Sequence, residues 1–161
     1  MSYPMASVGI FSTPLVWVLL LVHLLIAVFA LGAVTHHWWL LCRRRVPRPV
    51  LARYAKWMAI SYPLALVAGV LIYPSYNVLV RKPPIGVLEA TSRWAVGLFE
   101  IKEHLGTLAL VMLPWLVLSA RAYDRLSRLE RINYIIATWV FTIFVYYAFI
   151  SGGLVTAIES F

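Results

Sequence analysis

The sequence has 161 residues, which is enough for one domain. Hydrophobic residues make up 63% of the chain, charged residues 12%, and the mean hydropathy is +0.86. These values exclude a disordered chain and disfavour an ordinary soluble domain, in which about a quarter of the residues are charged. The net charge of +8 then indicates membrane topology rather than nucleic-acid binding. The single cysteine, Cys42, excludes an intramolecular disulfide and a multi-cysteine metal site.

Four apolar stretches are long enough to cross the ~30 Å hydrocarbon core of a bilayer. In chain order they cover roughly residues 14–41, 57–80, 94–120 and 133–158. The sequence therefore predicts an all-α fold, an integral membrane four-helix bundle that forms one transmembrane domain over residues 1–161. No separate soluble domain is predicted.

The loops between the predicted spans differ in charge. The first and third are rich in arginine, whereas the second carries few basic residues. Because basic residues prevail on the cytoplasmic side, both termini and the second loop are predicted on the outer side. The first span lacks a basic leader and a cleavage pattern, so we interpret it as a retained helix and not as a signal peptide.

The third predicted span contains an unusual group of ionisable residues, Glu100, Lys102, Glu103 and His104. Such side chains are costly within a bilayer and indicate a functional site by default. Glu100 and His104 are four residues apart and share one helix face, with Glu103 beside them and Lys102 pointing largely away. Glu100 and Glu103 are the candidate catalytic residues, because carboxyl groups in a desolvated site can exchange protons near neutral pH.

Two histidines lie at nearly the same predicted depth. His23 lies ~14 Å and His104 ~16 Å below the outer ends of their spans, at ~1.5 Å per residue. Two imidazoles on two helices at one level can provide both axial ligands of a b-type haem inside a bundle. The alternative is that each ring hydrogen-bonds separately to a serine, tyrosine or glutamate. The pattern thus makes His23 and His104 the candidate haem ligands.

A second haem is a further alternative. His37 follows His23 by 14 residues on the same helix face, ~21 Å away, as in two-haem membrane cytochromes. The matching position of the third span is Leu118, so no second histidine pair is available, and Met112 or Met58 would have to replace the missing ligand. We therefore interpret His36 and His37 as interfacial residues beside two tryptophans.

Other polar residues are predicted near the haem site in the outer half of the bundle. Tyr73 and Tyr146 would line the pocket, and a tyrosine hydroxyl there could hydrogen-bond a quinone carbonyl. Arg81, at the outer rim, would pair with the haem propionates. These residues predict quinol as the electron donor and a redox protein or larger membrane complex as the partner.

Two other functions fit the same residues. His23 and His104, with the two glutamates, could bind a metal ion in a metal-ion or small-solute transporter, which at this size would need to form a homo-oligomer. Alternatively, the chain could be a non-catalytic membrane subunit that docks on a larger complex. Whether the protein is an enzyme is left open by the sequence.

Three stretches resemble known membrane proteins: LLLVHLLIAVFALGAV in the first span, LALVAGVLIYPSY in the second and FEIKEHLGTLALVMLPWLVLSAR in the third. The chain resembles small bacterial four-helix proteins of the copper-resistance-D-like type, and its plan is similar to that of membrane b-type cytochrome subunits. The resemblance implies a bacterial cytoplasmic membrane and haem at His23 and His104. We therefore predict a membrane-embedded haem protein that transfers electrons between quinol and an outer-face partner.

Overall fold

The computed structural model describes residues 13–43, 46–77, 81 and 88–159, and all regular structure within these ranges is helical. The helices are α1 Thr13–Leu41, α2 Arg48–Tyr76, α3 Leu88–Thr91, α4 Arg93–Arg121 and α5 Arg128–Glu159, with a 3₁₀ turn at Tyr123–Arg125 between the last two. The all-α prediction is confirmed for this part of the chain.

Four of the helices are long and apolar enough to cross a membrane, over Pro14–Leu41, Arg48–Tyr76, Arg93–Arg121 and Arg128–Val155. A helix of this length extends about 42 Å, which exceeds the ~30 Å of hydrocarbon. The prediction of four helices that are long and apolar enough to cross a membrane is therefore confirmed.

Two helices begin earlier than the apolar stretches predicted. Helix α2 begins at Arg48, nine residues before the predicted start, and has a proline in its first turn, where no backbone donor is needed. Helix α5 begins at Arg128, five residues early, after a capping box. In this box the Ser127 amide donates to Glu130 at 2.7 Å and the Glu130 amide donates to the Ser127 hydroxyl at 3.3 Å. Both helices thus begin with basic residues, which the predicted apolar stretches do not include. The predicted end of the second span, residues 78–80, lies outside the described residues.

The four long helices form a ring. Helix α1 packs on α2 and α5, and α4 packs on the same two helices, so α1 and α4 lie diagonally opposite each other. This order bears directly on the predicted haem site, because His23 belongs to α1 and His104 to α4.

The apolar core lies towards one end of the bundle. This end of the bundle, where α1 and α4 end and α2 and α5 begin, is called the arginine-rich end. The other end is called the opposite end. The main cluster includes the fully buried Val34, Leu51, Met58, Leu116, Tyr134 and Phe141. A much smaller cluster, formed by Ala95, Val96 and Val155, lies near the opposite end.

Candidate functional site

Helix α4 turns a different face towards the bundle interior from the one that the sequence predicted. Lys102 is partly buried and lies against the bundle interior, whereas Glu103 and His104 are exposed on its outer surface. Spacing along a helix shows which residues share a face, but not which face turns inward. The prediction that the glutamates and His104 face a common interior site is therefore corrected, and so is the prediction that Lys102 points away from it.

Small residues determine which face of α4 packs on α2. Gly106 is buried, and its carbonyl accepts a hydrogen bond of 3.1 Å from the Tyr62 hydroxyl of α2. A Cβ atom at position 106 would lie 3.3 Å from the Cδ2 atom of Leu66, which is a tight contact. Helix α4 therefore presents this glycine to α2, and Lys102, one turn earlier, faces inward as well.

The His104 side chain lies on the outer surface of α4. Its Nδ1 atom is 2.7 Å from the Glu100 carbonyl oxygen of the same helix. Because a carbonyl can only accept, Nδ1 carries the proton and Nε2 is left as an acceptor. The ring lines an open groove of about 480 Å³ together with Glu103, Thr107 and Leu108. This groove lies near the middle of α4, at the depth of the hydrocarbon core if the helix spans a bilayer.

The His23 side chain faces α2. Its protonated Nδ1 donates to the Ala65 carbonyl at 2.9 Å, and the ring packs beside Gly69. His23 thus faces a neighbouring helix, whereas His104 faces away from the bundle on the diagonally opposite helix. The structure does not bring the two imidazoles together, and the predicted pair of axial ligands is not formed within one copy. Each ring is bonded separately, to a backbone carbonyl rather than to a polar side chain.

The interior position predicted for the glutamates holds a lysine. The Lys102 ammonium lies 4.6 Å from the centroid of the Phe99 ring, a cation–π contact. A Cβ atom on Gly152 of α5 would be 3.3 Å from the Lys102 Nζ atom, so the glycine provides space for the ammonium. Among the described residues, no carboxylate lies within 4.0 Å of this ammonium.

Glu100 is held by Arg81, near the opposite end. The Arg81 Nη2 atom is 2.7 Å from the Glu100 carboxylate, Nη1 is 3.5 Å from the Tyr73 hydroxyl, and Nε is 3.9 Å from Glu89. Burial by itself lowers the pKa of Arg81, but the hydrogen bond to Glu100 and the neighbouring acidic groups raise it overall. Arg81, predicted as a propionate partner, is thus the counter-ion of Glu100 in this structure, and Tyr73 joins them.

Tyr146 lies elsewhere in the bundle. Its hydroxyl is 2.9 Å from the Thr35 hydroxyl, a bond that joins α5 to α1 and leaves α4 out. The predicted pocket residues therefore divide between two places, with Tyr73 beside Glu100 and Tyr146 beside α1. In the described residues, no group of three or more His, Cys, Asp or Glu side chains could hold a metal ion.

Sequence reasoning missed a polar pair at the arginine-rich end. His37 is fully buried, and its Nε2 atom is 2.6 Å from the Tyr134 hydroxyl of α5, also fully buried. His36, the next residue, is exposed and stacks on Tyr54 at 5.3 Å. The interfacial interpretation thus fits His36 and is corrected for His37. The signal was the placement of Tyr134 near the start of the fourth span, at the level of His37 near the end of the first.

The fold defines a class, that of helical-bundle proteins with four candidate membrane spans. No protein-family model, curated protein or solved structure matches the sequence.

Proposed function

We propose that the protein is an integral membrane subunit that assembles with a second copy of itself through the polar face of α4, formed by Glu103, His104 and Thr107. The observation that supports it is the exposure of Glu103 and His104 near the middle of this helix. An ionisable side chain at the bilayer centre costs several kcal/mol when it faces lipid. A partner that provides hydrogen bonds at this depth removes that cost.

Hydrogen-bond complementarity favours a second copy as the partner. Glu103 and His104 are adjacent, so they differ by only ~1.5 Å in depth. In two parallel copies related by a two-fold axis along the membrane normal, the Glu103 carboxyl group of one α4, when protonated, donates to the His104 Nε2 atom of the other, and the contact occurs twice. Thr107, one turn further along, is small enough for two helices to approach closely.

The test compares two histidines that are both exposed and both bonded to their own helix. His104→Leu combined with Glu103→Leu should weaken self-association by about thirtyfold or more, since each interhelical polar contact contributes ~1 kcal/mol and two are lost. His36→Leu is the matched control, because the His36 ring is bonded to the Gly32 carbonyl in the same way, at 2.8 Å, but lies outside the polar face. This control should leave association unchanged.

The measurement is sedimentation equilibrium in detergent micelles. A wild-type dimer, a dimer of the His36 variant and a monomer of the double variant support the proposal. A wild-type monomer, or a double variant that associates as tightly as the wild type, contradicts it.

Haem-based electron transfer from quinol is the second candidate, and the His104 ring favours it. Haem and metal ligands commonly donate one ring N–H to a carbonyl and present the other nitrogen, which is the state of His104. In this candidate, His104 of each copy would hold the haem between the two subunits, and the haem would supply the one-electron chemistry. His23 would have no role as a ligand.

A reduced-minus-oxidised absorption spectrum of the purified protein tests this candidate. It should show a haem band that His104→Ala removes and His23→Ala retains. A spectrum without a Soret band rejects the haem and leaves the assembly proposal standing, because sedimentation measures the assembly independently.

A further inference from the structure

A second groove lies at the arginine-rich end, on the first turns of α5. Its volume is about 440 Å³, and it is lined by Arg128, Arg131, Ile132 and Ile135. The arginines are at the start of the helix, and Ile135 lies ~6 to 10 Å further along the axis, at 1.5 Å per residue. The groove thus has a basic end and an apolar end, in the order in which a lipid headgroup and its acyl chain meet a membrane helix.

Arg131 is held in position by the protein. Its guanidinium stacks on the Tyr123 ring at 5.0 Å, and its Nη2 atom donates to the Leu126 carbonyl at 3.4 Å. The Nε atom is buried and has no hydrogen-bond partner among the described residues. An arginine fixed in this way loses little freedom when it binds an anion.

The acidic residues nearest in sequence are paired with other groups. Asp124 lies 3.9 Å from Arg48, and Glu130 accepts the Ser127 amide in the capping box. Neither carboxylate lines the groove, so its two positive charges are not neutralised there. The start of α5 adds the partial positive charge of a helix N-terminus.

We propose that this groove binds an anionic phospholipid. The phosphate would accept hydrogen bonds from Arg128 and Arg131, because guanidinium groups match phosphate oxygens in geometry and charge. The acyl chain would lie along Ile132 and Ile135. Basic pockets at the end of membrane helices bind such headgroups, and each basic residue strengthens the binding. The site is separate from the polar face of α4 and does not depend on its function.

Native mass spectrometry of the purified full-length protein, titrated with phosphatidylglycerol, tests the site. Arg128→Gln should weaken binding about fivefold, and Arg128→Gln with Arg131→Gln about twentyfold. Arg125→Gln is the matched control, because Arg125 is exposed, lies in the same connection and is outside the groove. It should change binding by less than about twofold. Since Arg131 also packs on Tyr123, the Arg128 variant alone is the test that does not disturb this packing.

Two further ligands show whether the groove binds the phosphate of a lipid headgroup or a soluble phosphate. Phosphatidylcholine has the same chains without net charge, and glycerol 3-phosphate has the anion without chains. Both should bind more weakly than phosphatidylglycerol. The proposal is overturned if phosphatidylcholine binds as tightly as phosphatidylglycerol, or if Arg125→Gln weakens binding as much as Arg128→Gln. Equal binding of glycerol 3-phosphate overturns the lipid and leaves a soluble phosphate site.

Discussion

The two halves of the bundle differ in where their polar side chains lie. At the arginine-rich end, His37 lies fully inside the core and is bonded to a tyrosine of another helix. In the opposite half, Lys102 lies inside without an ion pair among the described residues, and His104 is turned outward. The well-packed half thus pairs a buried histidine with a side chain of another helix. The loosely packed half instead exposes His104, and the proposed contact with a second copy lies there.

Helix α1 shows the same contrast within one element. Its candidate span, Pro14–Leu41, is the most hydrophobic of the four. It is also the least buried, because only 6% of the residues in its 18-residue apolar stretch lie inside the bundle. Lipid is as apolar as a leucine side chain, so hydropathy alone does not drive a membrane helix into a bundle. The second half of α1 is held by small and polar contacts, which include Ala33, Thr35 and His37. The first half has His23 as its described polar link to α2.

The largest effect is expected from the core of the arginine-rich half. Tyr134→Ala should lower the free energy of unfolding by about 3 to 5 kcal/mol, because it leaves a cavity and removes the partner of His37. Tyr134→Phe should lower it by about 1 kcal/mol, since only the hydrogen bond is lost. Denaturant unfolding in micelles measures both, and Ile136→Ala, at an exposed position of the same helix, is the control. A Tyr134→Ala effect no larger than that of the control would contradict the comparison.

A smaller effect of opposite sign is expected in the other half. Lys102→Met should raise the free energy of unfolding by about 1 to 2 kcal/mol, because it replaces an interior cation that has no ion pair among the described residues with an apolar side chain of similar length. Lys56→Met is the control, since Lys56 is exposed on α2. The measurement is thermal unfolding in the same micelles. A loss of stability would instead indicate that Lys102 has an anionic partner, which would place a binding site in the interior.

The contact between Arg81 and Glu100 should contribute less. Arg81→Gln is expected to lower the free energy of unfolding by about 0.5 to 1 kcal/mol, because the Glu100 carboxylate is 50% exposed and solvent screens the pair. A double-mutant cycle with Glu100→Gln isolates the interaction, and the coupling energy should fall as salt is raised. A coupling energy that does not depend on salt would show that the pair is buried in the assembled protein.

The sequence was sufficient to predict the four spans, because length and hydropathy are properties of each helix alone. It was not sufficient to predict which face of α4 turns inward. That choice depends on Gly106 and its contact with Tyr62, and a contact between helices has no signature in one sequence. For His37 the sequence placed Tyr134 at the same level, but it did not show that the two side chains, 97 residues apart, face each other. The early starts of α2 and α5 were predictable from the proline and the capping box, which a search for apolar stretches does not use.

The last expected effect is a small difference in stability between two glycine substitutions, which measures the packing around His23. A Cβ atom at Gly69 would lie 3.4 Å from the His23 Cε1 atom, an ordinary contact, whereas a Cβ atom at Gly97 would meet nothing within 4 Å. Gly69→Ala and Gly97→Ala should both raise the free energy of unfolding by about 0.5 to 1 kcal/mol through helix propensity. Their difference should stay below about 0.3 kcal/mol, since a loosely packed half accommodates one methyl group. If Gly69→Ala destabilises the protein while Gly97→Ala stabilises it, the His23 ring is tightly held, and the opposite half is better packed than the comparison requires.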